Sequence, residues 1–174
     1  VQLDQARVTA FTDVGFKPQG LYVARLNLAA VMRTEDEQRL FVRRVQENLA
    51  QAGGVVAVGA GDGVPLDFIY RDVRVSPEGE SAVVQAHTTR VTAGYLETLG
   101  TRLLAGRAID ANDREGAEAV VVLSEPLARE LFPAGDPLGR RVVFSLAGNE
   151  PQSYTVVGVS ADLVSTQMGN PRPQ

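Results

Sequence analysis

The chain has 174 residues, 44% hydrophobic and 22% charged, which is typical of a folded globular protein with one domain or two small subdomains. A net charge of −4 offers no electrostatic basis for nucleic-acid binding, and the absence of cysteine excludes disulfides, thiolate metal sites and cysteine nucleophiles. A single histidine excludes histidine-rich metal sites and multi-histidine relays.

The first half of the chain predicts a strand–helix–strand unit. Residues 21–28 alternate in a way that predicts a strand. The stretch 34–37 has the capping-box pattern, in which a threonine and a glutamate side chain cap each other's backbone amides, and the helix should continue to about Gln51. Residues 55–58 predict a buried strand, so the two strands are expected to be parallel with a right-handed crossover. The apolar stripe of the predicted helix consists of Phe41, Val45, Leu49 and Ala52.

The second half predicts short helices and strands in alternation. One helix is expected at 93–99 after Thr92, which can cap it, and another at 125–132 after the cap Ser124. The predicted strands are a hairpin of 68–75 and 81–92, then 103–107, 120–123, 142–146 and 154–159, with an acidic turn at 110–113. Together with the first half, these elements predict an α+β fold in two subdomains.

The glycine-rich stretch 56–63, with the sequence VAVGAGDG, is the strongest candidate for a ligand site. A glycine-rich turn after a buried strand can hold a nucleotide or a methyl-donor cofactor, provided that a helix begins directly after the glycines. The residues after Gly63 are expected to be extended instead. We therefore interpret the stretch as a loop between strands and expect no cofactor, whereas a helix after Gly63 would favour an enzyme.

The remaining candidates for chemistry favour structural roles. Asp110, Asn112 and Asp113 offer oxygen ligands at a spacing that suggests calcium, but neither the glycine nor the closing glutamate of such a loop follows, so an Asx turn is expected. His87 is expected to be a surface or half-buried strand residue, and Ser124 lacks the flanking glycines of a nucleophile elbow. We predict no catalytic, cofactor-binding or metal-binding residue in this chain.

Sequence motifs in a distinctive order cover nearly the whole chain. They comprise residues 14–21, 37–54, 64–66, 91–106, 121–139 and 154–162. In this order they resemble the MacB-like periplasmic core domain of FtsX-type ABC transporter permeases. The chain departs from the family pattern at Leu96, where phenylalanine is more usual, and at Ser124, where asparagine is common.

The resemblance implies a division of the chain into parts. These are a lead-in after a transmembrane helix at 1–19, a porter-like subdomain at 20–92, a small α/β-rich (Sabre-like) subdomain at 93–162 and a loose tail at 163–174. The family's porter part has a second half after the final strand, so the porter-like subdomain is expected to be incomplete. No run of ~20 apolar residues is present, and Val1 in place of Met favours a soluble segment cut from a membrane protein.

The resemblance also implies a function without catalysis. In this family the domain is extracytoplasmic and couples ATP hydrolysis to periplasmic movement, partner handling or substrate efflux. The implied partners are a cytoplasmic ATP-binding subunit or domain, a second permease protomer and a periplasmic protein, with the parent protein in the inner membrane and no nucleic acid. The alternatives are a free-standing binding module, or an enzyme that uses residues 56–63.

Two loops are the expected contact surfaces, at 59–68 and 147–153. Loops on a rigid scaffold commonly carry recognition, and the first loop places Val64, Leu66 and Phe68 beside several glycines. Apolar side chains on such a loop need a cover, which is either the core of this domain or a partner protomer.

Overall fold

A curled six-stranded sheet organises the part of the chain that the computed structural model describes, residues 15–32, 34–63, 71–146 and 148–163. The strands are β1 (Arg71–Pro77), β2 (Val84–Thr88), β3 (Leu103–Gly106), β4 (Val120–Ser124), β5 (Arg141–Ser145) and β6 (Gln152–Ser160). The helices are α1 (Glu35–Ala50), α2 (Tyr95–Leu99) and α3 (Glu125–Leu131), with a 3-10 turn at Leu28–Ala30. None of the helices in these ranges is long and apolar enough to span a bilayer.

Strand β6 is the centre of the sheet because it has partners along both edges. β5 pairs antiparallel with its first residues and β3 with its last, while β4 runs parallel to it. Thr155 pairs with both Arg141 of β5 and Val120 of β4, so β4 lies on the opposite edge from β5. The hairpin of β1 and β2 joins the sheet through the pairing of β1 with β5. The strand order along one path is therefore β2-β1-β5-β6-β3, and β4 pairs with β6 outside this path.

One main core lies between the sheet and α3. The helix contacts β2, β4 and β6 and buries Leu127, Ala128 and Leu131. Side chains along β1 alternate between exposed and buried, as expected of a strand with one face on a core. Truncating a buried leucine such as Leu123 typically costs ~2–5 kcal/mol, so this core is the main energetic link between α3 and the sheet.

Helix α1 begins as its sequence predicts. The hydroxyl of Thr34 accepts a hydrogen bond of 3.2 Å from the amide of Glu37, and the Glu37 carboxylate accepts one of 3.2 Å from the amide of Thr34. Gln51 is the C-cap, so the predicted end is confirmed as well. The predicted apolar stripe is weakly covered, however, because α1 buries none of its residues and Leu49 is exposed.

The other two helices begin where expected but are capped differently. α2 starts after Gly94, whose φ is 81°, and the predicted cap Thr92 forms its hydrogen bonds elsewhere. Ser124 is at the N-cap position of α3, but its side chain makes no capping hydrogen bond. The prediction that these two hydroxyl groups cap the helices is therefore wrong, although the helices themselves are confirmed.

The α+β fold class is confirmed, and two strand predictions need correction. Residues 21–27 and 55–60 contain no strand, and the side chain of Val56 is 95% exposed. A strand requires a neighbour to complete its hydrogen bonds, and within the described ranges no ladder forms along either segment. The prediction that these two segments form a parallel pair of strands is therefore wrong, because their apolar composition did not show whether either had a neighbouring strand.

The sheet combines strands from both sides of residue 92. β1 and β2 precede that position, yet β1 pairs with β5, and both strands share the main core with α3. The division into 20–92 and 93–162 stays a prediction. Any such division has to place β1 and β2 with the later strands.

A second, smaller apolar cluster is separate from the main core. Phe16 is 8% exposed and Leu99 3% exposed. Leu21, Tyr95 and Leu163 pack around them. This cluster brings together segments that are distant in sequence, namely those around residue 16, the end of α2 and the residues after β6.

Candidate functional site

A cluster of polar contacts joins α1, the glycine-rich stretch and the turn before α2. The side-chain amide of Gln46 donates to the carbonyl of Val58 at 3.2 Å and to the hydroxyl of Thr92 at 2.9 Å. The same hydroxyl accepts a hydrogen bond of 2.9 Å from the amide of Ala60. We call the set Gln46, Val58, Ala60 and Thr92 the hub. It is built from amide, hydroxyl and backbone groups, which are suited to fixing positions and not to proton transfer.

The glycines of the stretch 56–63 allow it to lie directly against the start of α2. A Cβ built on Gly59 would overlap the backbone of Tyr95, and one on Gly61 would lie 2.9 Å from the Tyr95 ring. The Tyr95 hydroxyl donates to the carbonyl of Gly63 at 2.9 Å. The glycines therefore have a packing role in this structure. The predicted extended segment after Gly63 lies outside the described residues, which resume with β1.

Asp62 fixes the end of this loop electrostatically. Its carboxylate lies 3.2 Å from the Nε of Arg71 and 3.0 Å from the Nε of Arg90, and it accepts the Arg90 amide at 2.8 Å. Gly61 also forms an isolated antiparallel bridge with Val91. Because two guanidinium groups surround the carboxylate, Asp62 serves as an anchor between the loop and the segment after β2.

The acidic turn after β3 is an Asx turn closed by an arginine. The amide of Asn112 donates to the Asp110 carboxylate at 2.7 Å, which confirms the predicted turn. Arg107 donates to both carboxylate oxygens of Asp113, at 2.6 and 2.8 Å. This hydrogen bond lowers the pKa of Asp113 and raises that of Arg107. The Arg107 guanidinium thus binds both carboxylate oxygens of Asp113, which a calcium site in this turn would have used as ligands.

The other residues considered from sequence have ordinary structural surroundings. His87 is half-buried on β2, and its Nδ1 lies 2.9 Å from Oδ1 of Asp72, the residue opposite on β1. The described residues contain no group of three or more His, Asp or Glu side chains that could hold a metal ion. The candidate contacts Val64, Leu66 and Phe68 lie outside the described residues.

An open apolar groove lies between β3 and α3. It is lined mainly by Leu104, Ala128, Phe132 and Val159. Glu125 and Arg129 also line it and are paired with each other at 2.6 Å. The groove therefore offers apolar surface, with these two charges already satisfied by one another.

The region around α1 exposes much more apolar surface than the sheet does. Leu40 and Leu49 of α1 are 47% and 46% exposed, and Tyr22 and Val56 are 74% and 95% exposed. Within the described residues, α1 is held by the hub and by Arg39, which pairs with Glu115 in the loop before β4. Clusters of exposed apolar side chains commonly mark contact surfaces.

Sequence reasoning missed the hub and the role of Arg107. Thr92 was interpreted as a helix cap, because a hydroxyl before a helix has the same local pattern in both roles. Gln46 offers one usable signal, since it follows Val45 on the half-buried side of α1, where a polar side chain needs a partner. Arg107, six residues before Asp113, carries no local signal that distinguishes a closing ion pair from a surface charge.

One comparison with known proteins identifies a family. The family described as MacB-like periplasmic core domain matches residues 8–172. No curated protein matches the chain significantly. Among solved structures, the periplasmic region of MacB from Actinobacillus actinomycetemcomitans aligns with a TM-score of 0.51 and 21% identity, over 71% of this chain and 51% of that one.

A second solved structure is the extracellular domain of the noncanonic ABC-type transporter YknZ from Gram-positive bacteria. It aligns with a TM-score of 0.49 and 20% identity, over 78% of this chain and 62% of that one. The alignments thus cover less than two thirds of either solved chain. At these identities the MacB structure supports the fold, and the family match supports membership.

The hub predicts a contrast between half-buried Thr92 and buried Thr101. Thr92→Val should lower the free energy of unfolding by ~1–3 kcal/mol, because it leaves the Ala60 amide without its acceptor and removes one of the acceptors of the Gln46 side chain. Thr101 has a buried hydroxyl without a hydrogen-bond partner among the described residues, so Thr101→Val should be neutral or stabilising. Urea unfolding of both variants measures the difference, and equal losses would contradict the assigned role of Thr92.

The Arg107–Asp113 pair predicts how stability depends on pH. Because the pKa of Asp113 is lowered in the folded state, its contribution is complete above the unfolded pKa of about 3.9 and is lost as pH falls through the folded value. Asp113→Asn should therefore be less stable than the wild type at pH 7, and this deficit should shrink in acid. Urea titrations at neutral and acidic pH measure it, with exposed Glu80→Gln as the control. A deficit that stays constant in acid would exclude this linkage.

Proposed function

The chain belongs to the family of MacB-like periplasmic core domains, and on that premise we propose that it couples cytoplasmic ATP hydrolysis to movement outside the membrane. The parent protein would be an ABC transporter permease of the inner membrane. ATP would be hydrolysed on a separate cytoplasmic subunit or domain, and this domain would be non-catalytic. The observation that carries the proposal is the family match over residues 8–172.

The polar groups of the domain support a mechanical role. Asp62, Asp113 and Arg107 are engaged in ion pairs that fix loops to the sheet, and the hub joins α1 to the same body. The glycines of the stretch 56–63 contact the start of α2, so their small size has a structural reason. These features favour a transmitting or binding domain over the nucleotide-dependent enzyme that the glycines alone suggest.

The exposed apolar surface around α1 supports a porter-like part that needs further polypeptide to cover it. Residues 20–63 carry this surface, which includes Val31, 77% exposed, and Leu26, 50% exposed. The periplasmic region of MacB is about twice the length that aligns here. We place β1 and β2 with the sheet, so the porter-like part would consist mainly of α1 and the segments that flank it.

A movement of the domain can be measured with one spin label on each permease protomer. The chain has no cysteine, and exposed Glu80 in the turn between β1 and β2 is a suitable site for Glu80→Cys. In the full-length permease with its ATPase, the distance between labels on two protomers should change between the nucleotide-free and the ATP-trapped state. A distance distribution that is identical in both states, while ATP is hydrolysed, would rule out the proposed coupling.

We also propose that Val64, Leu66 and Phe68 contact a partner protomer or a periplasmic protein. Leu66→Ser and Phe68→Ser in the full-length permease should reduce transport-linked activity, while the melting temperature of the separate domain stays unchanged. Val83→Ser serves as a control, because Val83 is 57% exposed in the turn between β1 and β2. A large fall in melting temperature with activity preserved would show that the two residues belong to the core of the domain.

A further inference from the structure

A compact joint connects three parts of the chain that are distant in sequence. Residues 15–17 lie against the end of α2, and both lie against residues 161–163, which follow β6. We call these three segments, together with Gly100, the node. We propose that the node is the mechanical joint through which displacement of the chain before Gly15 is transmitted to the sheet, an inference that rests on the proposed function and deepens it.

The first contact of the node is between backbones. Gly15 has a φ of 76°, and a Cβ built on it would overlap the carbonyl oxygen of Asp162 and lie 3.1 Å from the Cα of Leu163. Only a residue without a side chain fits this approach. The segment that contains Gly15 therefore rests directly on the backbone that leaves β6, and neither can shift toward the other.

The second contact combines a hydrogen bond with apolar packing. The amide of Lys17 donates to the carbonyl of Leu99 at 2.7 Å. Between these segments Phe16 is buried against Leu99, with Leu21, Tyr95 and Leu163 around them. Packed side chains and hydrogen bonds in one contiguous cluster are the physical means by which a displacement passes from one segment to another.

The node continues directly into the centre of the sheet. The amide of Ala161 donates to the carbonyl of Arg102 at 2.8 Å, one position beyond the pair of Leu103 and Ser160. β6 in turn pairs with β3, β4 and β5. A displacement that reaches the node therefore acts on the strand to which half of the sheet is bonded.

The alternative route, through α1, is less rigid. Residues 21–27 have no regular structure, and α1 has no buried residue. Among the described residues, its attachments include the side-chain amide of Gln46 and the exposed ion pair of Arg39 with Glu115. Exposed ion pairs contribute little and rearrange easily, so the path from residue 17 through α1 transmits less displacement than the node does.

Two glycines provide a matched test of the node. Gly15 and Gly20 have nearly the same left-handed backbone, with φ of 76° and 75°, but a Cβ on Gly20 would have no atom within 4 Å. Gly15→Ala and Gly20→Ala therefore both place a side chain at nearly the same positive φ, and only the first disturbs the contact with Asp162. Any difference between the variants reports the contact itself.

The measurement is the label distance at Glu80→Cys in the full-length permease with its ATPase. Gly15→Ala should lose most of the nucleotide-dependent distance change while ATP hydrolysis continues, and Gly20→Ala should keep it. Hydrogen exchange of β1 and β5 should match the wild type in both variants, which shows that the main core is intact. If Gly15 only stabilised the fold, Gly15→Ala would alter the hydrogen exchange of β1 and β5 as well as the distance change.

A second variant keeps the inference testable if Gly15→Ala fails to fold. Phe16→Ala removes the packed ring without introducing an overlap, and it should also lose most of the distance change. A wild-type distance change in whichever of the two variants folds would overturn the inference alone. An unchanged distance in the wild-type permease would overturn the proposed function, and the inference with it.

Discussion

The pairing of β6 along both of its edges is the constraint on which the rest of the structure depends. β5 covers only the first residues of this strand, and β3 continues along the same edge after β5 ends. β4 covers the opposite edge and leads directly into α3, so the helix that closes the core is positioned by the same pairing. The hairpin of β1 and β2 is bonded to β6 only through β5. The burial of Val156, Val159 and Ser160 follows, since a strand with neighbours on both edges and a helix on one face has little contact with water.

The chemistry of the attachments divides the described part of the chain into a tightly packed body and a loosely held helix. The body is held by apolar contacts of residues such as Leu123 and Val142, which lose water when they pack. Among the described residues, helix α1 is held by hydrogen bonds of Gln46 and by the Arg39–Glu115 ion pair, and it leaves Leu40 and Leu49 exposed. Its regular structure therefore depends on local terms, namely the capping box and the acidic first turn, which together contribute on the order of 1–2 kcal/mol.

Features that depend on neighbouring residues in the sequence were predictable, and features that depend on contacts between distant residues were missed. The capping box at Thr34, the Asx turn at Asp110 and all three helices were predicted because each depends on residues within a few positions. Residues 55–58 were wrongly predicted to be a strand, because apolar composition does not reveal whether a neighbouring strand exists. The glycines of the stretch 56–63 were recognised as unusual, but the Tyr95 backbone that requires Gly59 lies far along the chain. The hub was missed for the same reason, since Gln46 and Thr92 meet only after folding.

Residues before β1 are joined to the sheet by the node and by the contacts of α1, and these two connections differ in what fixes their geometry. The node excludes side chains where Gly15 meets Asp162, so its geometry is fixed by backbone volume, which salt and pH do not change. Asp162 itself carries a carboxyl whose pKa is raised by burial and by the nearby charge of Glu125. The hub depends on the side chains of Gln46 and Thr92, and the Arg39–Glu115 pair is an exposed ion pair whose rotamers exchange at small cost. A displacement arriving before Gly15 would therefore move the sheet as one body, while α1 and its exposed apolar face could follow a different path. The described part of the chain thus carries a backbone-fixed connection beside one that depends on side chains, which is the arrangement that the proposed transmission of movement would require.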